Sequence, residues 1–212
     1  MSFYQVYLIN RNVNYLYAMN INKLRTIKKL YFGYEAIAKA LGIASASARV
    51  CANRYARQGF LVRVKRNIYV RRDTWETLSQ EGLFCLANIA QTPSYVSLLT
   101  ALGFYEITTQ MQRNFIESIA IKRTKEISVA GVSFNYTRIQ LPLYRGFVKS
   151  GDFFIASPEK ALLDALYLMK RKVYSIDLSA IDFNKINLRK LKKEARFFPE
   201  RVLAPLKEYG IA

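Results

Sequence analysis

The stretch Ser45 to Phe60, "SASARVCANRYARQGF", sets Arg49, Asn53, Arg54 and Arg57 among small and hydroxyl residues. Guanidinium and carboxamide groups are the side chains that hydrogen-bond base edges. Hydroxyls and a helix N-terminus suit phosphate oxygens. In this reading Arg49 meets guanine O6/N7, Asn53 pairs with adenine N6/N7, and Val50 touches a thymine methyl. Ser45 and Ser47 meet a phosphate. Arg54 and Arg57 extend the basic face. Just beyond, Arg63, Lys65, Arg66 and Asn67 fall on an alternating stretch, where the cations suit the DNA backbone or the minor groove.

Charge supports a polyanionic partner. The 212 residues carry 33 Lys and Arg against 15 Asp and Glu, a net charge of +18. That exceeds what solubility needs and points to nucleic acid or an anionic membrane surface. The excess concentrates at one end: residues 1–80 hold 14 basic and 3 acidic residues, and residues 81–150 hold 7 and 4. The first third is therefore the expected polyanion-binding part.

Several chemistries are excluded by composition. Histidine is absent, which removes His-based triads, histidine general bases and His-containing metal sites. Cys51 and Cys85 are far apart, so neither a zinc site nor a disulfide framework is expected. They read as reduced, buried thiols of a cytoplasmic protein. No apolar run approaches the roughly 18 residues of a membrane span. The start, "MSFYQVYLINRNVNYLYAMN", lacks the pattern of a signal peptide, and Met19 is an alternative start. No cofactor and no metal are expected.

The elements that position these residues follow from spacing. "NINKLRTIKKL" predicts a first helix and "GYEAIAKALGI" a second over 34–41, closed at Gly42. A third helix spans 46–58, N-capped by Ser45 and stopped at Gly59. At about 100° per residue, Ala48, Cys51, Ala52 and Tyr55 share the inward side. Ala46, Val50, Asn53 and Arg57 lie opposite, flanked by Ser47, Arg49 and Arg54. "FLVRVKRNIYVRR" predicts a hairpin that turns at Lys65-Arg66-Asn67. Three helices and a hairpin wing, over 20–72, give a winged helix-turn-helix. Residues 73–91 read as a helical connector.

Residues 92–212 predict a mixed domain, so the fold class is α+β. Thr92 is expected to cap a helix started by Pro93 and running to about Gly103. "NFIESIAIKR" reads as a strand, "KEISVAGVSFNYTRIQ" as a hairpin turning at Ala130-Gly131, and 152–156 as a short strand. Ser157 caps a second Pro-started helix, "PEKALLDALYLMKRK". The tail from Leu188 is basic and helical, broken at Pro199.

These stretches resemble a family. "LYFGYEAIAKALGIASASARVCANRYARQGFLVRVKRNIYV" is similar to the N-terminal winged helix of the AbiEi antitoxins, the regulators of type IV toxin–antitoxin and abortive-infection operons. "TPSYVSLLTALGFYEITTQ" and "ASPEKALLDALY" (156–167) resemble blocks of that family's C-terminal domain, "SPEKALLD" being the more specific. The resemblance covers about residues 25–170. Asn67 stands where many relatives carry Gly, with the same tolerance of positive φ. The resemblance implies a cytoplasmic repressor that binds double-stranded operator repeats of its own operon. It further implies that the C-terminal half counters a nucleotidyltransferase-like toxin, with or without stable direct contact, and that the chain is not an enzyme.

Other readings stay open beside it. The Tyr and Phe residues of the second half would line a small-ligand pocket or a core equally well. Surface aromatics could stack single-stranded nucleic acid or RNA. Asp152, Glu159, Asp164, Asp177 and Asp182 are the carboxylates a metal-dependent nuclease would need clustered. Glu159 at a helix start most simply complements the helix dipole.

Overall fold

A computed structural model describes residues 21–110 and 113–210. The readings of the first 20 residues, on the signal peptide and on Met19, lie outside the described residues. The fold is mixed, with helices and sheets, and the chain divides into two compact units between Leu78 and Ser79. The 73–91 stretch is thus shared between them. Helix α3 (Arg72–Glu76) belongs to the first unit and α4 (Gln80–Ala90) to the second.

In the N-terminal unit the first basic helix ends sooner than expected. Residues 21–24 are helical, and the chain then turns at 25–26. The Thr26 hydroxyl bonds back to the Lys23 carbonyl at 2.7 Å, a local alternative to further helix. Helix α1 (Tyr34–Leu41) ends at Gly42, whose φ of 68° no β-carbon opposes. Helix α2 spans Ser45–Arg57 and ends in a turn at Gly59. Strands β1 (Leu61–Lys65) and β2 (Ile68–Arg71) pair antiparallel around Arg66-Asn67, with an irregularity between Arg63 and Lys65. Phe32 joins as a third rung, exchanging both backbone hydrogen bonds with Tyr69 at 2.9 Å. The core is Leu24, Phe32, Ile37, Ala48, Ala52, Tyr55, Leu61 and Tyr69.

The C-terminal unit is a mixed six-stranded sheet with helices. Its strands are β3 (Ser94–Val96), β4 (Phe115–Ala120), β5 (Lys125–Val129), β6 (Val132–Arg138), β7 (Phe147–Ser150) and β8 (Phe153–Ala156), in the order β5-β6-β4-β3-β8-β7. β3 pairs with β8 and β4 with β6 in parallel; the other neighbours are antiparallel. Tyr136, Ser118 and Val96 stand side by side across β6, β4 and β3. On that face the Tyr136 hydroxyl donates to the Ala87 carbonyl of α4 at 2.6 Å. Tyr95, one residue from Val96, points to the opposite face. There it reaches helix α6 (Pro158–Lys170).

The Thr92-capped helix over 93–103 is corrected. Residues 94–96 are a strand, and the helix, α5, covers only Leu98–Phe104. Pairing on both edges, with Ser118–Ala120 and with Ile155, outweighs a local start signal. The Thr92 hydroxyl instead bonds back to the Asn88 carbonyl at 3.1 Å. The Ser157 start holds: its side chain accepts from Lys160 N, with Pro158 in the first turn. The basic tail forms α7 (Leu188–Ala195), which stops before Pro199, and a 3-10 turn at Ala204–Tyr209.

Candidate nucleic-acid interface

Helix α2 is held by two alanines and one large side chain, Tyr55. Ala48, Ala52 and Tyr55 have no exposed surface, and Cys51 is half-buried rather than buried. Ala46, Ser47, Arg49, Val50 and Arg57 are exposed, Val50 at 65%. On the hairpin, Arg63, Lys65 and Arg66 are exposed while Val62 and Val64 are buried. The alternation puts the cations outward.

Four of the named residues do something other than the sequence reading gave them. The cap position of α2 is Ala44, with no side-chain cap, and Ser45 is the first helical residue. The Ser45 hydroxyl donates to Glu35 Oε1 at 2.6 Å, so its proton is turned away from a phosphate. Asn67 has φ 60° as a turn residue, but its Oδ1 accepts from Tyr34 N at 2.7 Å. That satisfies an orphan donor at the start of α1. Gly33 leaves room for it, since a β-carbon there would lie 2.9 Å from Asn67 O and Oδ1. Arg54 is half-buried, lies 3.6 Å from Cys51 Sγ and stacks 5.7 Å from the Tyr55 ring. Asn53 is half-buried and its Oδ1 accepts from the Tyr69 hydroxyl at 3.2 Å.

Tyr69 was missing from the sequence reading, as was Tyr34. Both lie on the same corner: their hydroxyls are 3.5 Å apart and their ring centres 5.9 Å. Burial pushes the Tyr69 hydroxyl up to about 12, Tyr34 adds to the rise, and Arg63 and Arg49 pull it down. Arg63 is paired opposite Tyr69 across the hairpin. The only sequence signal was Tyr69 as an inward position of an alternating strand.

The C-terminal motif residues are interior. Every residue from Glu159 to Leu168 is buried. Lys160 Nζ pairs with Asp164 Oδ1 at zero exposure, and Asp164 Oδ2 accepts from the Tyr95 and Ser97 hydroxyls at 3.0 and 2.8 Å. Burial drives the Asp164 carboxyl up, against Lys160 and both hydroxyls. Glu159 accepts from Asn187 N at 3.2 Å, and Asp177 and Asp182 cap short turns. Among the described residues no group of three His, Cys, Asp or Glu could hold a metal ion, and no helix is long and apolar enough to cross a membrane. The sequence matches no protein-family model and no curated protein.

Proposed function

We propose that the N-terminal unit is a winged helix-turn-helix that binds duplex DNA. In this reading α1 crosses the backbone, α2 lies in the major groove and the β1–β2 hairpin is the wing. The observation that carries it is the surface of α2. Ser47, Arg49, Val50 and Arg57 are exposed on a helix anchored by only three fully buried residues, and Arg63 and Arg66 extend from the neighbouring hairpin. Tyr55, Ala48 and Ala52 fix one face of the helix in the core, so the opposite face is held in place for a partner. The +18 net charge supplies the attraction to phosphate. A gel-shift titration of the full chain on its own promoter region tests this. Tight, sequence-dependent binding that weakens in Arg49→Ala is expected, and equal weak binding to all duplexes overturns the sequence-specific part.

The narrower reading is a cytoplasmic, cofactor-free repressor of the AbiEi antitoxin type, non-enzymatic, whose C-terminal unit counters a nucleotidyltransferase-like toxin. It rests on the resemblance of residues 92–110 and 156–167. Tyr95 and Ser97 come from the first block and Asp164 from the second, so the two blocks meet in one buried polar centre. Co-expression with the product of an adjacent nucleotidyltransferase reading frame is the test. Restored growth supports the reading, and unchanged toxicity removes it.

A further inference from the structure

The C-terminal unit holds a cavity of about 370 Å³, lined by Thr124, Arg138, Ile139, Gln140 and Arg171. Its size falls within the range of small-ligand sites. Three segments meet there. Thr124 stands just before β5, Arg138 closes β6, and Arg171 follows α6. Their backbones are tied down. The Arg138 N–H donates to the Thr124 hydroxyl at 2.9 Å, and the Ile139 N–H to the Ala120 carbonyl at 3.0 Å. The Arg171 N–H donates to the Tyr167 carbonyl at 3.2 Å, and its guanidinium lies 5.7 Å from the Tyr167 ring centre. No carboxylate lines the cavity, and among the described residues neither guanidinium takes part in an ion pair. The nearest carboxylates along these segments are engaged elsewhere. Glu126 accepts from the Ser133 hydroxyl, Asp177 from Ser179 and Asp164 from Lys160. The chain neighbours Arg123 and Lys172 are exposed and add the same sign. A concave surface of one sign concentrates the opposite ion.

We propose that this cavity binds a small phosphate monoester, its phosphate held by Arg138 and Arg171 and its organic part against Ile139 and Gln140. The planar fork of a guanidinium matches two phosphate oxygens. Charge selects the monoester. Its phosphate carries about −1.5 to −2 at neutral pH, which two guanidinium groups neutralise. A diester of the nucleic-acid backbone carries a single negative charge and leaves one arginine without a counterion. The site lies in the other unit from the α2 and hairpin surface. It stands or falls independently of the duplex-DNA reading.

Isothermal titration of the full chain at low salt, with methyl phosphate, dimethyl phosphate and ribose 5-phosphate as probes, tests this. Ribose 5-phosphate should saturate one site per chain. Methyl phosphate should bind more weakly, and dimethyl phosphate more weakly still. Arg138→Gln and Arg171→Gln should each weaken ribose 5-phosphate by about 10- to 100-fold, the worth of a charge-assisted hydrogen bond. Arg171→Lys keeps the charge but loses the fork, and should fall between. Lys149→Gln removes the same charge from β7, at the sheet edge far from β6, and should change little. Absence of saturable binding overturns the proposal. So does dimethyl phosphate binding as tightly as methyl phosphate, or Lys149→Gln weakening binding as much as Arg171→Gln, since net charge alone then acts. Binding lost in Arg66→Ala but kept in both Arg→Gln variants places the phosphate on the hairpin and overturns it too. Ribose 5-phosphate binding no tighter than methyl phosphate removes the organic part of the site. Should Arg138→Gln fail to fold, Arg171→Gln and Arg171→Lys decide the matter.

Discussion

Asp164 and Lys160 share one turn of α6, and neither has exposed surface. Removing one partner strands the other charge in an apolar interior. Asp164→Asn is expected to cost about 3–5 kcal/mol in urea denaturation. The double variant Lys160→Met/Asp164→Leu should lose clearly less, because no unpaired charge remains. A double loss equal to the sum of the singles would mean the pair is not coupled. Glu117 gives a pH prediction. It is nearly buried beside α5, accepting from Thr100 N at 3.3 Å and the Tyr174 hydroxyl at 3.2 Å, and burial raises its carboxyl above the ordinary glutamate value of 4.5. A raised native value means the folded protein holds the proton more tightly than the unfolded chain. Glu117 thus favours folding fully below 4.5, and that stability is lost as pH rises through its raised value. The urea midpoint of Glu117→Gln, relative to the unsubstituted protein, should climb as pH rises above 4.5. A constant difference would show that the carboxyl does not titrate differently in the two states.

At the scale of elements, the hairpin meets α1 through the Asn67–Tyr34 hydrogen bond, which Gly33 makes room for, beside the Tyr34–Tyr69 contact. Asn67→Gly keeps the positive φ and loses the acceptor for Tyr34 N, at about 1 kcal/mol. Asn67→Ala should cost roughly 1–2 kcal/mol more, because a β-carbon at that φ is strained. Gly33→Ala should destabilise as well, by driving a methyl group against the Asn67 backbone. Thermal denaturation of the three variants orders them; Asn67→Ala equal to Asn67→Gly would deny the strain. What could be read from sequence here was local. The φ of Asn67 followed from its place in a turn, and the inward face Ala48, Ala52, Tyr55 from helical period. Its hydrogen bond to Tyr34, 33 residues away, had no local signal. Neither had the Tyr69–Asn53 bond, across 16 residues. β3 was read as helix because three residues after a proline look like a helix start, and only their neighbours in the sheet make them a strand. β7 was missed because four residues with two outward positions show no periodicity.

Over the whole chain, the imbalance of charge decides how binding should respond to salt. Residues 1–80 carry 14 basic residues against 3 acidic ones, so few internal ion pairs compete for the cations. Some cations are used within the N-terminal unit nonetheless. Arg71 pairs with Asp73 at 3.2 Å, and Arg25 reaches the same carboxylate at 3.7 Å. The exposed cations of α2 and the hairpin, Arg49, Arg57, Arg63, Lys65 and Arg66, set phosphate neutralisation at roughly 4–6 per chain. The logarithm of affinity for promoter DNA should then fall against the logarithm of salt concentration with a slope of about −4 to −5. Replacing Lys65 and Arg66 with alanine should weaken binding to all duplexes alike and reduce the slope by about 2, one unit for each phosphate contact. Arg49→Ala should behave differently, lowering discrimination between promoter and unrelated duplex by about 1–3 kcal/mol. A slope near zero would remove the electrostatic basis of the interface. A hairpin double variant that changes preference but not slope would exchange the roles of helix and wing.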